Sequence, residues 1–237
     1  MRPRWHACVL IPARNEQELL PRCLDSVIAA CAALPRGVTS DVVVAVDSST
    51  DQTLEIAERM LSGRGCVIVT EAAAVGRTRA LAAETALQRY RGPLRECWLA
   101  NTDADCCVPE TWLTDQLAIA SEDVDAIAGT VDVDSFHDHG VGVGEQFRRT
   151  YLIHPDGSHP HVHGANFGVR ADAYLHAGGW GEFETAEDHD LWNRLLQTGS
   201  RRRSIGNMTV LTSGRRIGRA PHGFAGALIA LNEVPIC

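Results

Sequence analysis

A chain of 237 residues with 45% apolar and 22% charged side chains has the composition of a soluble globular protein, long enough to bury a full core. All 22 basic residues are arginine and none is lysine, which excludes lysine-dependent chemistry. The net charge of −8 argues against general nucleic-acid binding, but it is uneven: after residue 200 six arginines face one acid, whereas residues 1–200 carry 16 arginines and 29 acids.

The first apolar run, residues 7–11, reads as a buried strand ended by Pro12, and residues 16–33 carry Leu20, Leu24, Val27, Ile28 and Cys31 at helical spacing. Pro12, Arg14 and Glu16 cut that first run short of the ~7–15 apolar residues of a secretion signal. Residues 42–46 are a second buried strand, broken by Asp47-Ser48-Ser49-Thr50-Asp51, which also offers caps for a helix over 53–62. A third strand over 66–69, a helix over 77–90 and a strand over 97–100 continue the alternation. Strand-helix repetition of this kind predicts an α/β fold, a mostly parallel sheet with helices on both faces and a ligand crevice at its carboxyl edge.

The strand over 97–100 leads to Asn101-Thr102-Asp103-Ala104-Asp105. Two carboxylates one residue apart at the carboxyl end of a buried strand repel each other, and a hard divalent cation with oxygen ligands relieves that repulsion. Asp103 and Asp105 are therefore the candidate metal ligands, although an isolated Asp-x-Asp is also the composition of a solvated turn.

From residue 109 the pattern loosens. A helix over 109–121 and a strand over 125–133 are followed by a polar, His- and Gly-rich stretch over 135–161 that suits an acceptor side. Residues 162–169 read as a strand, 171–177 as a short helix stopped by Gly178-Gly179, and 188–197 as a helix ended by Gly199. His159, His161 and His163 alternate, so an extended segment points all three to one face. They lack the Cys or Glu partners of a zinc site, and histidines exposed beside an acceptor groove are the simpler reading.

The eight cysteines contain no C-x-x-C pair and suit free thiols in a reducing cytoplasm, where the protein is expected. No run approaches the ~20 apolar residues of a membrane span, and the late run over 224–231 suits a surface or an interface.

Five stretches resemble family 2 glycosyltransferases of the GT-A fold, in the family's order and spacing over residues 7–212: VLIPARNE (9–16), VAVDSSTDQT (44–53), ANTDADCCVPETWL (100–113), HGANFGVRADAYLHAGGW (163–180) and AEDHDLWNRLLQTG (186–199). Val46-Asp47 and Ser48 depart from the family's usual double Asp and following Gly. The resemblance implies one domain, with a nucleotide-binding half (1–108), an acceptor-binding half with a smaller mixed region (109–212) and a basic C-terminal tail (213–237). It implies a nucleotide diphosphate sugar donor, with Mn²⁺ or Mg²⁺ as cofactor and the base near Pro12, Arg14, Glu16 and Asp47. A carboxylate such as Asp47 at the end of a buried strand can accept the ring N–H of uracil or guanine, or cap the next helix. Arg79 matches the family position that reaches the base or phosphate; on a helix Arg77 points about 200° away from it.

Glu187-Asp188 begins an amphipathic helix and is the candidate catalytic pair, with Asp188 taking the acceptor proton; one of the two can instead cap that helix. A carboxylate base opposite the leaving group implies inversion at the anomeric carbon. His163, Asn166 and Trp180 are expected at the sugar or acceptor, Arg215 and Arg216 over the diphosphate or an anionic acceptor, and His222 as a late metal ligand. A homodimer and a peripheral membrane contact through the arginine-rich tail are compatible with the sequence. The competing readings are a retaining transferase on the same fold, a sugar nucleotidyltransferase, for which a Gly-rich basic loop is missing, and a non-catalytic protein that binds sugar nucleotide or metal.

Overall fold

The computed structural model describes residues 5–218 and 223–232. Its strands are β1 (His6–Ala13), β2 (Thr39–Asp47), β3 (Cys66–Thr70), β4 (Cys97–Asn101), β5 (Ala126–Val133), β6 (Phe167–Arg170) and β7 (Arg202–Thr212). They form one sheet in the order β3-β2-β1-β4-β6-β5-β7. All run the same way except β6, which is antiparallel to both β4 and β5. The helices are α1 (Leu20–Ala32), α2 (Thr53–Leu61), α3 (Val75–Arg89), α4 (Trp112–Ala120), α5 (Val143–Thr150), α6 (Ala171–His176), α7 (Glu187–Gln197) and α8 (Phe224–Asn232).

The central strands read as unbroken apolar runs because both their faces are covered. Val9, Ile11, Val44, Trp98 and Ala100 join α1, α2 and α4 in one core, while Cys8, Leu10, Val43, Cys97 and Leu99 point the other way and join α3, α6 and α7 in a second. The seven described cysteines are free, and those on β1 and β4 are ordinary members of the second core. No helix among the described residues is long and apolar enough to cross a membrane.

Several boundaries differ from the sequence reading. Helix α1 starts at Leu20, with a proline in its first turn, and Glu16 stays outside it in a separate turn whose carbonyl accepts the Leu20 N–H at 2.8 Å. The strand expected from 162 begins only at Phe167, because residues 164–166 form a single 3₁₀ turn.

Helices α5 and α8 and strand β7 were not expected. Helix α5 buries only Val143 and Phe147, too little to stand out in a polar stretch. Strand β7 alternates cleanly only at Met208, Val210 and Thr212, and its first half, with Arg202 and Arg203, is not buried. A bulge after Gly129 shifts the β5–β7 register from Gly129↔Ile205 to Thr130↔Thr209.

The end of β7 is tied to the turn after β4 by a bridge between Cys107 and Leu211, with N–H to carbonyl distances of 2.7 and 3.0 Å. Helix α8 packs through Leu228 and Phe224 against Phe136, Phe147 and Tyr151, so this part of the expected basic tail is a docked apolar helix.

Candidate functional site

The carboxyl ends of β1, β2, β4 and β7 meet at one edge of the sheet and open into a cleft of about 300 Å³. Pro12, Arg14, Glu16, Asp47, Asp103, Asp105 and Arg215 all line it. Thr78, Glu184 and Phe224 also line it and were not foreseen. Thr78 precedes Arg79 on the same helix and was open to notice; Glu184 reaches the cleft from the loop before α7 and Phe224 from the start of α8.

Asp47 ends β2 and is 5% exposed. Its carboxylate accepts hydrogen bonds from the Ser48 hydroxyl at 3.0 Å, the Ala73 N–H at 3.1 Å and the Thr78 hydroxyl at 3.1 Å. It caps no helix: the start of α2 is held by Asp51, whose Oδ1 accepts the Thr53 N–H at 3.0 Å. The backbone around the cleft is strained. Asn15, Ser48, Ala73 and Ala186 all have positive φ, at 53°, 49°, 54° and 62°, and they adjoin Glu16, Asp47 and Glu187 or, for Ala73, bond to Asp47.

Asp103, Asp105 and Cys106 offer ligand atoms within 4.8 Å of one another, the only such convergence among the described residues. Burial pushes the Asp105 carboxyl up to about 6, with Asp103 and Glu16 adding to the rise and Arg215 opposing it. Crowded, partly desolvated carboxylates are a donor set that fits a hard divalent cation. Cys106 is buried, with its thiol pushed upward, and its Sγ donates to Asp105 Oδ1 at 3.6 Å, which makes it a neighbour that orients the carboxylate.

The arginines correct the sequence reading. Arg79 was expected at the base or phosphate; it is 2% exposed, does not line the cleft, and bridges Asp103 Oδ1 at 2.5 Å and Glu187 Oε1 at 3.1 Å. Arg77 is exposed and pairs with Glu182 at 3.1 Å. Arg215 does not stand open for a diphosphate, because it grips Glu16 at 2.7 and 2.8 Å and Asp105 at 2.9 Å. Arg216 is exposed and does not line the cleft, and His222 lies outside the described residues.

Glu187 is buried beside Arg79, and burial raises its carboxyl against the pull of that guanidinium. Asp188 is half-buried at the start of α7, with Oδ2 accepting the Gly164 N–H at 2.8 Å and Oδ1 accepting the His189 N–H at 2.8 Å. Through Arg79 the acid pair is thus held to the carboxylates after β4.

The remaining candidates lie deeper than expected. Asn166 is saturated in the interior: its amide donates to the Thr130 and Met208 carbonyls at 2.8 Å each and its oxygen accepts the Trp112 indole N–H at 3.0 Å. Trp180 is buried against Phe167, with ring centroids 5.3 Å apart. His159 is also buried, and the rings of His159, His161 and His163 stack in a row 5.8 to 5.9 Å apart instead of converging on one point. His163 is half-buried, bonded to the Tyr151 hydroxyl at 2.8 Å, and does not line the cleft.

Residues 8–177 match the family model of glycosyl transferase family 2. No curated protein matches the chain. Among solved structures, the chain is similar to S. aureus TarS 1–349 in complex with UDP-GlcNAc, with a TM-score of 0.67 and 16% identity over 97% of this chain and 68% of that one. It is also similar to the mannosyltransferase PcManGT from Pyrobaculum calidifontis in complex with GDP-Man and Mn²⁺, with a TM-score of 0.64 and 22% identity over 97% and 69%. In two further TarS structures the match, at 18% identity and TM-scores of 0.62 and 0.63, covers 88% of this chain but spans only 60% of the 1–349 fragment and 36% of the longer chain. These likenesses show the GT-A fold.

Proposed function

The chain is a member of glycosyl transferase family 2, and we propose that it is a glycosyltransferase that moves a sugar from a UDP- or GDP-type donor to a hydroxyl acceptor with inversion. The observation that carries the finer reading is the charge of the cleft. Glu16, Asp47, Asp103, Asp105 and Glu184 line it against Arg14 and Arg215, and Arg215 is already bound to two of those acids. An anionic diphosphate is repelled by such a surface unless a cation intervenes.

Asp103 and Asp105 would hold Mn²⁺ or Mg²⁺, which when bound supplies positive charge for the departing diphosphate. Asp47, with Pro12, Arg14 and Thr78, forms the end of the cleft suited to the nucleotide base. The half carrying α6 and α7 would receive the acceptor. Asp188 takes the proton of the acceptor hydroxyl as that oxygen bonds to the anomeric carbon and the bond to the diphosphate breaks. The N–H groups of Gly164 and His189 hold its carboxylate in one orientation while it does so. Glu187 is occupied by Arg79, which supports Asp188 and not Glu187 as the base.

A thermal-shift panel of UDP, GDP, TDP and ADP, each with and without Mn²⁺, tests the donor assignment. One or two diphosphates should stabilise the protein only when the cation is present. With the matching nucleotide sugar, Asp188→Asn should abolish transfer while keeping nucleotide affinity, and the coupling constant of the new anomeric proton should report inversion. Unchanged turnover in Asp188→Asn removes it from the mechanism, and cation-independent binding removes the metal.

A further inference from the structure

We propose that Arg79 is a positioning residue that couples cation binding at Asp103 to the placement of the Glu187–Asp188 corner; the inference rests on the cation and base assignments above. Its guanidinium is 2% exposed and touches both sides of the site at once, Asp103 through Nη2 at 2.5 Å and Glu187 through Nε at 3.1 Å. Asp188 is tied in indirectly. The Gly164 N–H that holds its Oδ2 belongs to a residue where an added Cβ would stand 2.5 Å from Arg79 Nη2, so the guanidinium lies directly on that backbone. The Trp180 ring, 5.6 Å from the guanidinium carbon, closes another side.

A guanidinium between two carboxylates is shared by them. Arg79 engages one oxygen of Asp103, whose side chain keeps 36% of its surface exposed and lines the cleft. Charge drawn from Asp103 by a bound cation weakens its hold on Nη2 and strengthens the bond from Nε to Glu187, one residue from the proposed base. The planar fork makes this sharing available through two nitrogens at fixed geometry, which the single point charge of a lysine does not reproduce.

The coupling is read from Mn²⁺ affinity, measured calorimetrically with the nucleoside diphosphate that gives the larger thermal shift, without any turnover. Glu187→Gln removes the competing carboxylate, leaves Arg79 wholly to Asp103, and should weaken Mn²⁺ binding about fivefold or more, the lower end of coupling between sites. Glu187→Asp keeps the charge but loses the reach and should behave like Glu187→Gln, which a merely electrostatic role does not predict. In an Arg79→Lys background the Glu187→Gln effect should vanish; if that background does not fold, the two Glu187 variants carry the test alone. A change of less than about twofold in both Glu187 variants, with Asp103→Asn still abolishing Mn²⁺ binding, overturns the proposal while leaving the cation site intact. Unchanged Mn²⁺ affinity in both Asp103→Asn and Asp105→Asn overturns the cation assignment, and this inference with it.

Discussion

Arg215 and Glu16, separated by 199 positions in the chain, form a two-point ion pair with Nη1–Oε2 at 2.8 Å and Nη2–Oε1 at 2.7 Å. The same Nη2 reaches Asp105 at 2.9 Å, so one side chain from beyond β7 faces the buried Glu16 and the half-buried Asp105, from the loops after β1 and β4. Removing it as Arg215→Met takes this positive charge from both carboxylates, at a cost of about 3 kcal/mol, the low end for breaking a buried pair because Arg215 itself is partly exposed. Urea unfolding should show that loss. Saturating Mn²⁺ should restore more stability to Arg215→Met than to the parent protein, since the cation offers the acids the charge they have lost; equal gains would show that Arg215 and the cation do not share Asp105.

His163 sets a dependence of stability on pH. The Tyr151 hydroxyl accepts the Val131 N–H at 3.1 Å and shares a 2.8 Å hydrogen bond with His163 Nε2, which a neutral imidazole satisfies by accepting the hydroxyl proton. Burial lowers its pKa to about 3, with His161, His159 and His189 adding to the fall. The unfolded chain takes up a proton near the ordinary value of 6.5 and the folded protein does not, so stability is full above 6.5 and is lost as pH falls from there toward 3. Melting temperatures should decline between pH 7 and pH 4, and less steeply in His163→Gln, whose amide oxygen accepts the tyrosine proton without titrating. An identical slope in the variant would contradict this account.

Asn166 ties β5 and β7 to Trp112 through three interior hydrogen bonds. Asn166→Ala strands the buried Trp112 indole N–H and takes an amide donor from the Thr130 and Met208 carbonyls, of which Met208 keeps the Thr130 hydroxyl at 3.2 Å, and should cost about 2 kcal/mol, within the range for a buried group left unpaired. The measurable contrast is a lower melting temperature with the affinity for nucleoside diphosphate and Mn²⁺ retained. A loss of affinity in a fully folded variant would return Asn166 to the substrate site.

Much of the fold was open to reading because it rests on local periodicity. The runs Ala7–Ile11 and Val42–Val46 are apolar at every position because both faces of those strands are covered, and the breaks at Pro12 and Asp47 mark where they leave the sheet. The same breaks located the carboxylates at 47, 103 and 105, since a charged residue at the end of a buried strand is visible without coordinates. Helix α5 and strand β7 escaped because each buries only a few side chains, and β7 finds its place through pairing with β5, 76 residues earlier at the contact of Ala126 with Arg202.

The sequence by itself determined which apolar runs form covered strands, where those strands end and which acids gather at their carboxyl edge. Only the tertiary structure decided what those acids touch: that Arg79 is a buried bridge, that Arg215 is bound to Glu16 and Asp105, and that Asn166 and Trp180 belong to the interior. The reason is physical. Burial follows from the chemistry of a residue and its near neighbours, whereas an ion pair depends on a few ångströms between segments that strand order alone brings together.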